Sequence, residues 1–163
     1  MALEPAPLLG LDEAAELAQS LRQAGKRIVL TNGIFDLLHL GHAVYLEQAR
    51  AMGDALFVGV NDDGSASSLK GRDRPLVPAQ ERAALLTHLR WVDCVVVFSD
   101  LTADALLERI RPDVYVKGGD YDLESLPEVH VARAVGAEVR FVPLVPGRST
   151  TNLLRRILVR YRQ

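Results

Sequence analysis

Residues 27–42 have the sequence RIVLTNGIFDLLHLGH, and the fold class can be inferred from this stretch. Its first five residues form an apolar, partly β-branched run, which predicts a buried strand over 27–31. A loop containing Gly33 follows, and a helix is predicted over 41–52, ending before Gly53. A strand followed closely by a helix is the unit from which helix-covered parallel sheets are built.

The same alternation continues along the chain. Further apolar runs and the segments between them predict strands over 55–60, 92–98, 114–117 and 138–142, and helices over 12–24, 79–89, 102–110, 126–135 and 150–161, with Asp12 and Thr102 as caps. The expected fold is therefore α/β: a Rossmann-like, doubly wound parallel sheet of about five strands with helices on both faces. No internal repeat or linker divides the sequence, which predicts a single domain over 1–163 with an N-terminal helix inside 1–26.

Composition and charge restrict the classes of protein to which the chain can belong. The 19 Lys and Arg residues against 21 Asp and Glu give a net charge of −2, whereas dedicated nucleic-acid-binding domains are usually basic. The single cysteine, Cys94, excludes a disulfide framework and a four-cysteine zinc site. No apolar run is long enough to span a bilayer, and no Lys or Arg precedes Arg22, unlike in a secretory signal. We therefore expect a soluble cytoplasmic protein with no nucleic-acid or membrane partner.

His39 and His42 are the most informative candidates for chemistry. They are three residues apart at the start of a predicted helix, so both rings can face the same side. Free N–H groups at a helix start favour an anion, and two imidazoles add donors for phosphate oxygens. Gly33 permits a tight turn, and Gly41 lets a ligand approach the backbone. The segment predicts a site for a phosphate chain, built without either of the usual glycine-rich phosphate loops.

Two other interpretations of the histidine pair are open at this point. The pair could bind zinc, although a catalytic zinc site needs a third ligand, and the candidates His88, His130 and Cys94 lie in unrelated segments. Alternatively, the two histidines could be purely structural, as a histidine within a helix often is.

Three further segments carry groups suited to anions. The long polar stretch 61–78 contains Lys70 and Arg74, and a loop of that length in a compact domain is expected to be functional or mobile. Residues 117–121 (KGGDY) follow the fourth predicted strand, where two glycines let the backbone approach a ligand. Residues 148–151 (RSTT) suggest a second anion-binding helix start. Taken in isolation, a solvated loop, a plain turn and a helix cap are the respective alternatives.

At residues 39–42 (HLGH) the sequence resembles the cytidylyltransferase-like nucleotidyltransferases, whose signature is HxGH. The resemblance covers residues 27–157. Within that superfamily, the similar segments point to the bacterial heptose 1-phosphate adenylyltransferases in their stand-alone form: TNGIFDLLHLGH, GVNDDGS, LKGRDRP, the pair Glu81 and Arg82, VDCVVVF, RPDVYVKGGDY and RSTT. The residues after Tyr121 and the pair Gly136 and Ala137 depart from the fused enzymes of this group, but not at the phosphate-binding segments.

The resemblance implies that ATP and a sugar 1-phosphate, D-glycero-D-manno-heptose 1-phosphate, give ADP-heptose and pyrophosphate. It implies Mg²⁺ on the triphosphate, with no metal ligand from the protein, and catalytic roles for His39, His42 and Lys70. The implied ATP contacts are Thr31, Asn32, Gly33, Phe35, His39, Gly41, His42, Lys117, Gly118, Ser149, Thr150 and Thr151. The implied substrate contacts are Asp36, Lys70, Arg74, Gly119, Asp120 and Tyr121. A homodimer is a further expectation from the family.

Other functions of the same fold are alternatives. They are a glycerol-3-phosphate cytidylyltransferase, an FMN adenylyltransferase and, more distantly, a non-catalytic nucleotide-binding regulator. The KGGDY segment favours the heptose enzyme. Intact His39, His42 and Lys70 argue against a regulator, because a sensor has no need of groups that act in a transition state.

Overall fold

The computed structural model describes residues 4–119 and 123–161. Within them, the strands are β1 (Leu8–Leu9), β2 (Ile28–Gly33), β3 (Ala55–Asn61), β4 (Cys94–Phe98), β5 (Val114–Gly118) and β6 (Glu138–Val142). The helices are α1 (Leu11–Gln23), α2 (Leu40–Arg50), α3 (Asp63–Lys70), α4 (Ala79–Thr87), α5 (Asp104–Ile110), α6 (Val129–Ala134) and α7 (Thr150–Tyr161). None of the described helices is long and apolar enough to cross a membrane.

The strands form one parallel sheet in the order β1-β4-β3-β2-β5-β6. This confirms the predicted doubly wound α/β fold, although the described residues hold six strands rather than about five. The additional strand is β1, which pairs Leu8 with Val95 and Leu9 with Val96 at the edge beside β4. A two-residue strand is too short to produce a periodic hydrophobic pattern, so the sequence gives no signal for it.

Apolar side chains cover both faces of the sheet, as a doubly wound fold requires. On one face, Leu30 and Tyr115 pack in a core cluster with residues of α1, α5 and α6. On the other face, Val29 and Val116 pack in a second cluster with residues of α2 and α4. Successive strand residues point to opposite faces, so each central strand contributes to both clusters. The near-continuous apolar runs in the sequence reflect this burial on both faces.

The stretch 61–78 is not one continuous loop, because α3 occupies its first half. The Asp62 carboxylate accepts a hydrogen bond from the Ser65 N–H at 2.7 Å and so caps this helix. The helix sequence, DGSASSLK, is rich in weak helix formers, which is why composition alone predicted a loop. Burial of Ser65 and Ala66 against the body of the protein compensates for that weak propensity. Lys70 is therefore the last residue of a helix and does not lie within a loop.

Smaller corrections concern where helices begin. The N-cap of α1 is Gly10, whose N–H donates to the Glu13 carboxylate, and Asp12 lies inside the first turn. The N-cap of α5 is Ala103, while the Thr102 hydroxyl donates to Asp104 at 2.9 Å. Helix α6 begins three residues later than predicted because residues 126–128 form a turn, in which the Val129 N–H donates to the Leu126 carbonyl. These differences lie in the range expected for helix ends.

The cap of α3 can be tested by removing it. Asp62→Ala should destabilise the protein by about 1 kcal/mol, because the Ser65 N–H loses its acceptor, whereas Asp62→Ser keeps an acceptor and should cost less. Urea unfolding of the three proteins measures the difference, and amide exchange of residues 65–70 should quicken in the alanine variant. Equal stability and exchange in all three would contradict a capped helix.

Candidate active site

The sheet order places a ligand crevice beyond the carboxyl ends of β2 and β5. Strands β3 and β4 lie on one side of β2, and β5 and β6 lie on the other, so the direction of winding reverses between β2 and β5. Ligands of doubly wound sheets bind at such a switch point. Asn32 of β2 and Lys117 of β5 both lie at this edge. The Lys117 Nζ donates a hydrogen bond to Asn32 Oδ1 at 3.2 Å. The structure thus brings together two residues that are far apart in the sequence.

The loop between β2 and α2 is held in an unusual conformation. Phe35 and Leu37 both adopt left-handed backbone angles, with φ of 53° and 49°, although neither is a glycine. Such residues cost energy and persist only where the surroundings fix them. Asp36 lies between these two residues and holds the loop in this conformation. Its main-chain carbonyl accepts a hydrogen bond from the Thr150 hydroxyl at 2.6 Å, and its carboxylate is hydrogen-bonded as well. Gly33 precedes this loop, and a Cβ there would lie 3.1 Å from the Phe35 ring.

The Asp36 carboxylate is buried and fully engaged by the protein. It accepts hydrogen bonds from Arg74 Nε at 2.7 Å, from the Leu76 N–H at 3.0 Å and from the Val77 N–H at 3.1 Å. Burial raises the pKa of Asp36, but these three donors and the charge of Arg74 outweigh it and hold the pKa below its usual value. Asp36 and Arg74, both expected to contact the substrate, therefore bind each other. Together with the bonds from Leu76 and Val77, this contact holds residues 74–77 beside the β2–α2 loop.

The two histidine rings lie against each other at the start of α2. His39 occupies the N-cap position, and its ring stacks on that of His42 with the centroids 3.9 Å apart and the planes 20° apart. The Phe35 ring packs against His42 at a centroid distance of 5.4 Å. The three-residue spacing thus places both imidazoles on one side of the helix start, where free N–H groups also point.

Burial keeps both imidazoles neutral at neutral pH. Desolvation lowers the pKa of His39, and desolvation together with the charge of His39 lowers the pKa of His42 to about 4, against a small opposing effect of Asp36. Both Nδ1 atoms are buried and have no hydrogen-bond partner within the described residues. An additional proton on either ring would therefore lack an acceptor unless a ligand supplied one.

Gly41 allows the beginning of α7 to approach the histidine pair. A Cβ at Gly41 would lie 2.9 Å from the His39 ring and 3.0 Å from the Arg148 carbonyl oxygen, so no larger residue fits without movement. In the RSTT segment, Ser149 Oγ accepts the Asn152 N–H at 3.1 Å as a helix cap. Thr150 is buried and bonded to Asp36, whereas Thr151 is exposed and makes no hydrogen bond through its hydroxyl to the described part of the chain. Two helix starts therefore meet at this edge, and each can offer free N–H groups to an anion.

Other residues expected in the site lie in the scaffold beneath it. The Thr31 hydroxyl is fully buried, contacts the Tyr45 hydroxyl and donates to the Val116 carbonyl at 2.9 Å. Gly118 packs closely, because a Cβ there would lie 3.1 Å from Leu144 and 3.3 Å from Tyr45. Gly119 has a φ of 118° that favours glycine, and its N–H donates to Val142 at 2.9 Å. Asp120 and Tyr121 lie outside the described residues.

Lys70 lies at the exposed C-terminus of α3. It has no hydrogen-bond or ionic partner among the residues that the structure describes. Gly71 follows it with a φ of 99°, so the chain turns sharply away from the helix there. No described group of three or more His, Cys, Asp and Glu side chains could hold a metal ion, and the residues at this edge offer phosphate donors rather than a metal cage.

For Arg82, the sequence indicated only that the pair Glu81 and Arg82 resembles the family, and not the structural role that the residue has. The side chain is fully buried. Its guanidinium donates to the carbonyls of Ile34 at 2.5 Å, Asn61 at 2.9 Å and Val77 at 2.7 Å, and to the Asp63 carboxylate at 2.8 Å. No local pattern reports these contacts, since each partner lies in a different segment.

Comparison with known proteins decides the family. The sequence profile described as cytidylyltransferase-like matches residues 30–156, which is well over half of the chain. The chain belongs to the cytidylyltransferase-like family. It is thereby a member of a nucleotidyltransferase superfamily, as its HxGH segment predicted.

Individual relatives support the same assignment. The chain is 49% identical over 150 residues to the bifunctional protein HldE of Pseudomonas aeruginosa, covering 92% of this chain and 32% of that protein. It is 46% identical over 162 residues to the bifunctional protein HldE of Syntrophotalea carbinolica, covering 95% and 33%. The chain thus spans about a third of the length of these curated relatives. Its fold is also similar to that of a lipopolysaccharide core biosynthesis protein from Thermoplasma volcanium, with a TM-score of 0.60 and 27% identity over 74% of this chain and 98% of that one.

The low pKa of His42 predicts a pH effect on stability. A base whose pKa is lowered by folding binds fewer protons in the folded state than in the unfolded state. Between about pH 6.5 and pH 4, the unfolded state therefore takes up protons that the folded state does not, and the free energy of unfolding falls as pH falls through that window. His42→Asn should remove this contribution. Between about pH 7.5 and pH 5, the variant should lose on the order of 1 kcal/mol less unfolding free energy than the wild type, after discounting for partial solvent exposure. Urea unfolding at both pH values measures this, and equal losses would refute a neutral, buried His42.

Proposed function

We propose that this chain is an adenylyltransferase that joins AMP from ATP to a sugar 1-phosphate, with D-glycero-D-manno-heptose 1-phosphate as substrate, and releases pyrophosphate. The observation that carries the proposal is the stacked His39–His42 pair at the start of α2, beside the start of α7. Membership in the cytidylyltransferase-like family supports transfer of a nucleotidyl group. The sequence resemblance to heptose 1-phosphate adenylyltransferases supports the choice of sugar, and the name of the Thermoplasma volcanium neighbour, a lipopolysaccharide core biosynthesis protein, agrees with a role in glycan synthesis.

The proposed reaction needs no catalytic base. An oxygen of the sugar phosphate attacks the α-phosphorus of ATP, the bond from that phosphorus to the bridging oxygen breaks, and pyrophosphate leaves. The attacking oxygen is already largely ionised at neutral pH, so no proton has to be removed. The protein must instead align two anions and stabilise the charge that develops on the phosphates. When bound, Mg²⁺ would share that charge from phosphate oxygens and water.

The histidine pair can meet this requirement. The two Nε2 atoms make no hydrogen bond within the described chain, whereas both Nδ1 atoms are buried, so each ring can present Nε2 to a phosphate oxygen. A neutral ring donates without the repulsion that a permanent imidazolium would exert on nearby cations. As negative charge develops on the leaving pyrophosphate, its hydrogen bonds from the two rings become stronger. The transition state is then stabilised more than the bound substrates, as catalysis requires.

A panel of substrate pairs tests the proposed function. Pyrophosphate release should be fastest with ATP and the heptose 1-phosphate, and slower with CTP or with glycerol 3-phosphate or FMN as acceptor. A higher kcat/KM for CTP with glycerol 3-phosphate would indicate a cytidylyltransferase, and one for ATP with FMN would indicate an FMN adenylyltransferase. No pyrophosphate with any pair, but binding of nucleotide, would indicate a regulator.

Histidine variants connect the measured activity with this site. His39→Ala and His42→Ala should each lower kcat by about 10²–10³ while changing ATP affinity much less. His88→Ala is the matched control, because His88 lies at the C-cap of α4 and bonds only locally. Turnover near the wild-type value in both site variants would place the activity elsewhere.

Lys70 gives a separate prediction about the acceptor. We expect the chain to move at Gly71 and bring the Lys70 ammonium onto the phosphates, so Lys70→Ala should lower turnover and raise KM for the sugar phosphate. Amides of residues 71–74 should gain exchange protection only when nucleotide and sugar phosphate are both bound, because α3 itself is already hydrogen-bonded. Lys26→Ala, before β2 at the opposite edge, is the control. Unchanged kinetics and exchange would make Lys70 an ordinary surface lysine.

A further inference from the structure

A buried polar cluster lies at the same edge of the sheet, on the face opposite to the histidine pair. Tyr115 and Lys117 alternate with Val116 on β5, so they point away from the core face that holds Val116. Glu128, which precedes α6, is only 4% exposed. Its Oε1 accepts from Lys117 Nζ at 3.4 Å and from the Ala103 N–H at 3.4 Å. The expected contacts of the nucleotide site included Lys117 but not Glu128.

Packing does not explain a carboxylate at this position. The second oxygen of Glu128, Oε2, is buried without any hydrogen-bond partner in the described residues. Ala103, Leu126 and Val129 beside it belong to the apolar core on this face, and its polar neighbour is Tyr115, whose pKa is raised by burial and by the charge of Glu128. A buried carboxylate oxygen without a donor carries a desolvation penalty, which the pairing of Oε1 with Lys117 offsets only in part. An unsatisfied buried group of this kind calls for an explanation beyond packing, and the contact with Lys117 connects it to the expected nucleotide site.

The contacts of Glu128 leave a specific set of donors for a ligand. An ammonium group has three N–H bonds, and Lys117 uses two of them on Glu128 and Asn32, so the direction of the third is fixed. The Asn32 Oδ1 accepts from Lys117 and from the Tyr115 hydroxyl at 2.7 Å, which orients the amide. Its Nδ2 then has no partner in the described chain and can donate outward. Both remaining groups are donors, so the ligand atom must be an acceptor such as an anionic oxygen.

We propose that Glu128 is a positioning residue that holds Lys117 and, through it, Asn32 in the orientation that binds ATP oxygens at the switch point. The inference rests on the proposed function, since it takes ATP as the ligand. Glu128 does not touch the nucleotide; its carboxylate attracts the Lys117 ammonium and keeps it beside Asn32. Loss of that charge leaves Lys117 with several competing conformations, and the binding site must then order the side chain at the expense of affinity.

Glu128→Gln tests the proposal, because glutamine keeps the shape and an acceptor oxygen but removes the charge. We expect ATP affinity weakened by about fivefold or more in a variant that still unfolds cooperatively above the assay temperature, with a lowered Tm because Lys117 loses its charged partner. KM for ATP should rise, with kcat at saturating ATP changing by less than about twofold. Glu138→Gln is the matched control: it removes an exposed carboxylate paired with Arg27 and Arg140 at the opposite edge and should bind ATP as the wild type does.

A double-mutant cycle separates positioning from a general structural role. In a Lys117→Met background, Glu128→Gln should have almost no further effect on ATP affinity, because the residue that it positions is gone. Equal effects of Glu128→Gln in both backgrounds, or a Glu128→Gln protein that is already partly unfolded at the assay temperature, would overturn the proposal. So would wild-type ATP affinity in Glu128→Gln, which would leave the proposed function intact. Failure of the wild type to bind ATP or to release pyrophosphate with any substrate pair would overturn both.

Discussion

The buried guanidinium of Arg82 is the interaction on which the arrangement of the site depends. A charged side chain without solvent is tolerated only when its donors are bound, and Arg82 places four hydrogen bonds on three carbonyls and one carboxylate. Those acceptors lie in the β2–α2 loop, at the end of β3, in α3 and in the segment before α4. Four stretches of chain are thereby fixed to one another at the carboxyl edge of the sheet. The planar fork of arginine suits this task, whereas a lysine could not reach all four acceptors.

A second restraint extends the same arrangement to the histidine pair. Val77 is bonded through its carbonyl to Arg82 and through its N–H to Asp36, so the two buried charges share one loop. Asp36 in turn lies between the left-handed residues Phe35 and Leu37 and accepts the Thr150 hydroxyl through its carbonyl. The strained loop, the start of α2 and the start of α7 are therefore fixed by hydrogen bonds that are shielded from water. A site that must align two anions needs such rigidity before the ligands arrive.

The parts of the fold that sequence could predict are those set by local pattern. The β-branched runs at β2, β3 and β5 predicted a parallel sheet, and the HLGH segment placed two histidines on one side of a helix start, where the rings do stack. Weak propensity concealed α3, whose stability comes from Asp62 and from burial. Arg82 and Glu128 were missed because their partners lie far away in the sequence. In the same way, Asp36 and Arg74 each suggested a ligand contact, and only the fold shows that they bind each other.

Two cationic side chains at this edge of the sheet are paired with carboxylates in the free protein. Lys117 and Arg74 carry compensating carboxylates, Glu128 and Asp36, so neither adds an isolated positive charge to the free protein. The histidines remain neutral because burial lowers their pKa. These four groups therefore add little electrostatic repulsion to the free protein, in spite of the number of donors that surround the crevice. Phosphate oxygens that enter the crevice can accept hydrogen bonds from these neutral rings at Nε2, which has no partner in the described chain. The donors are thus held in place before a ligand arrives, without additional positive charge on the rings.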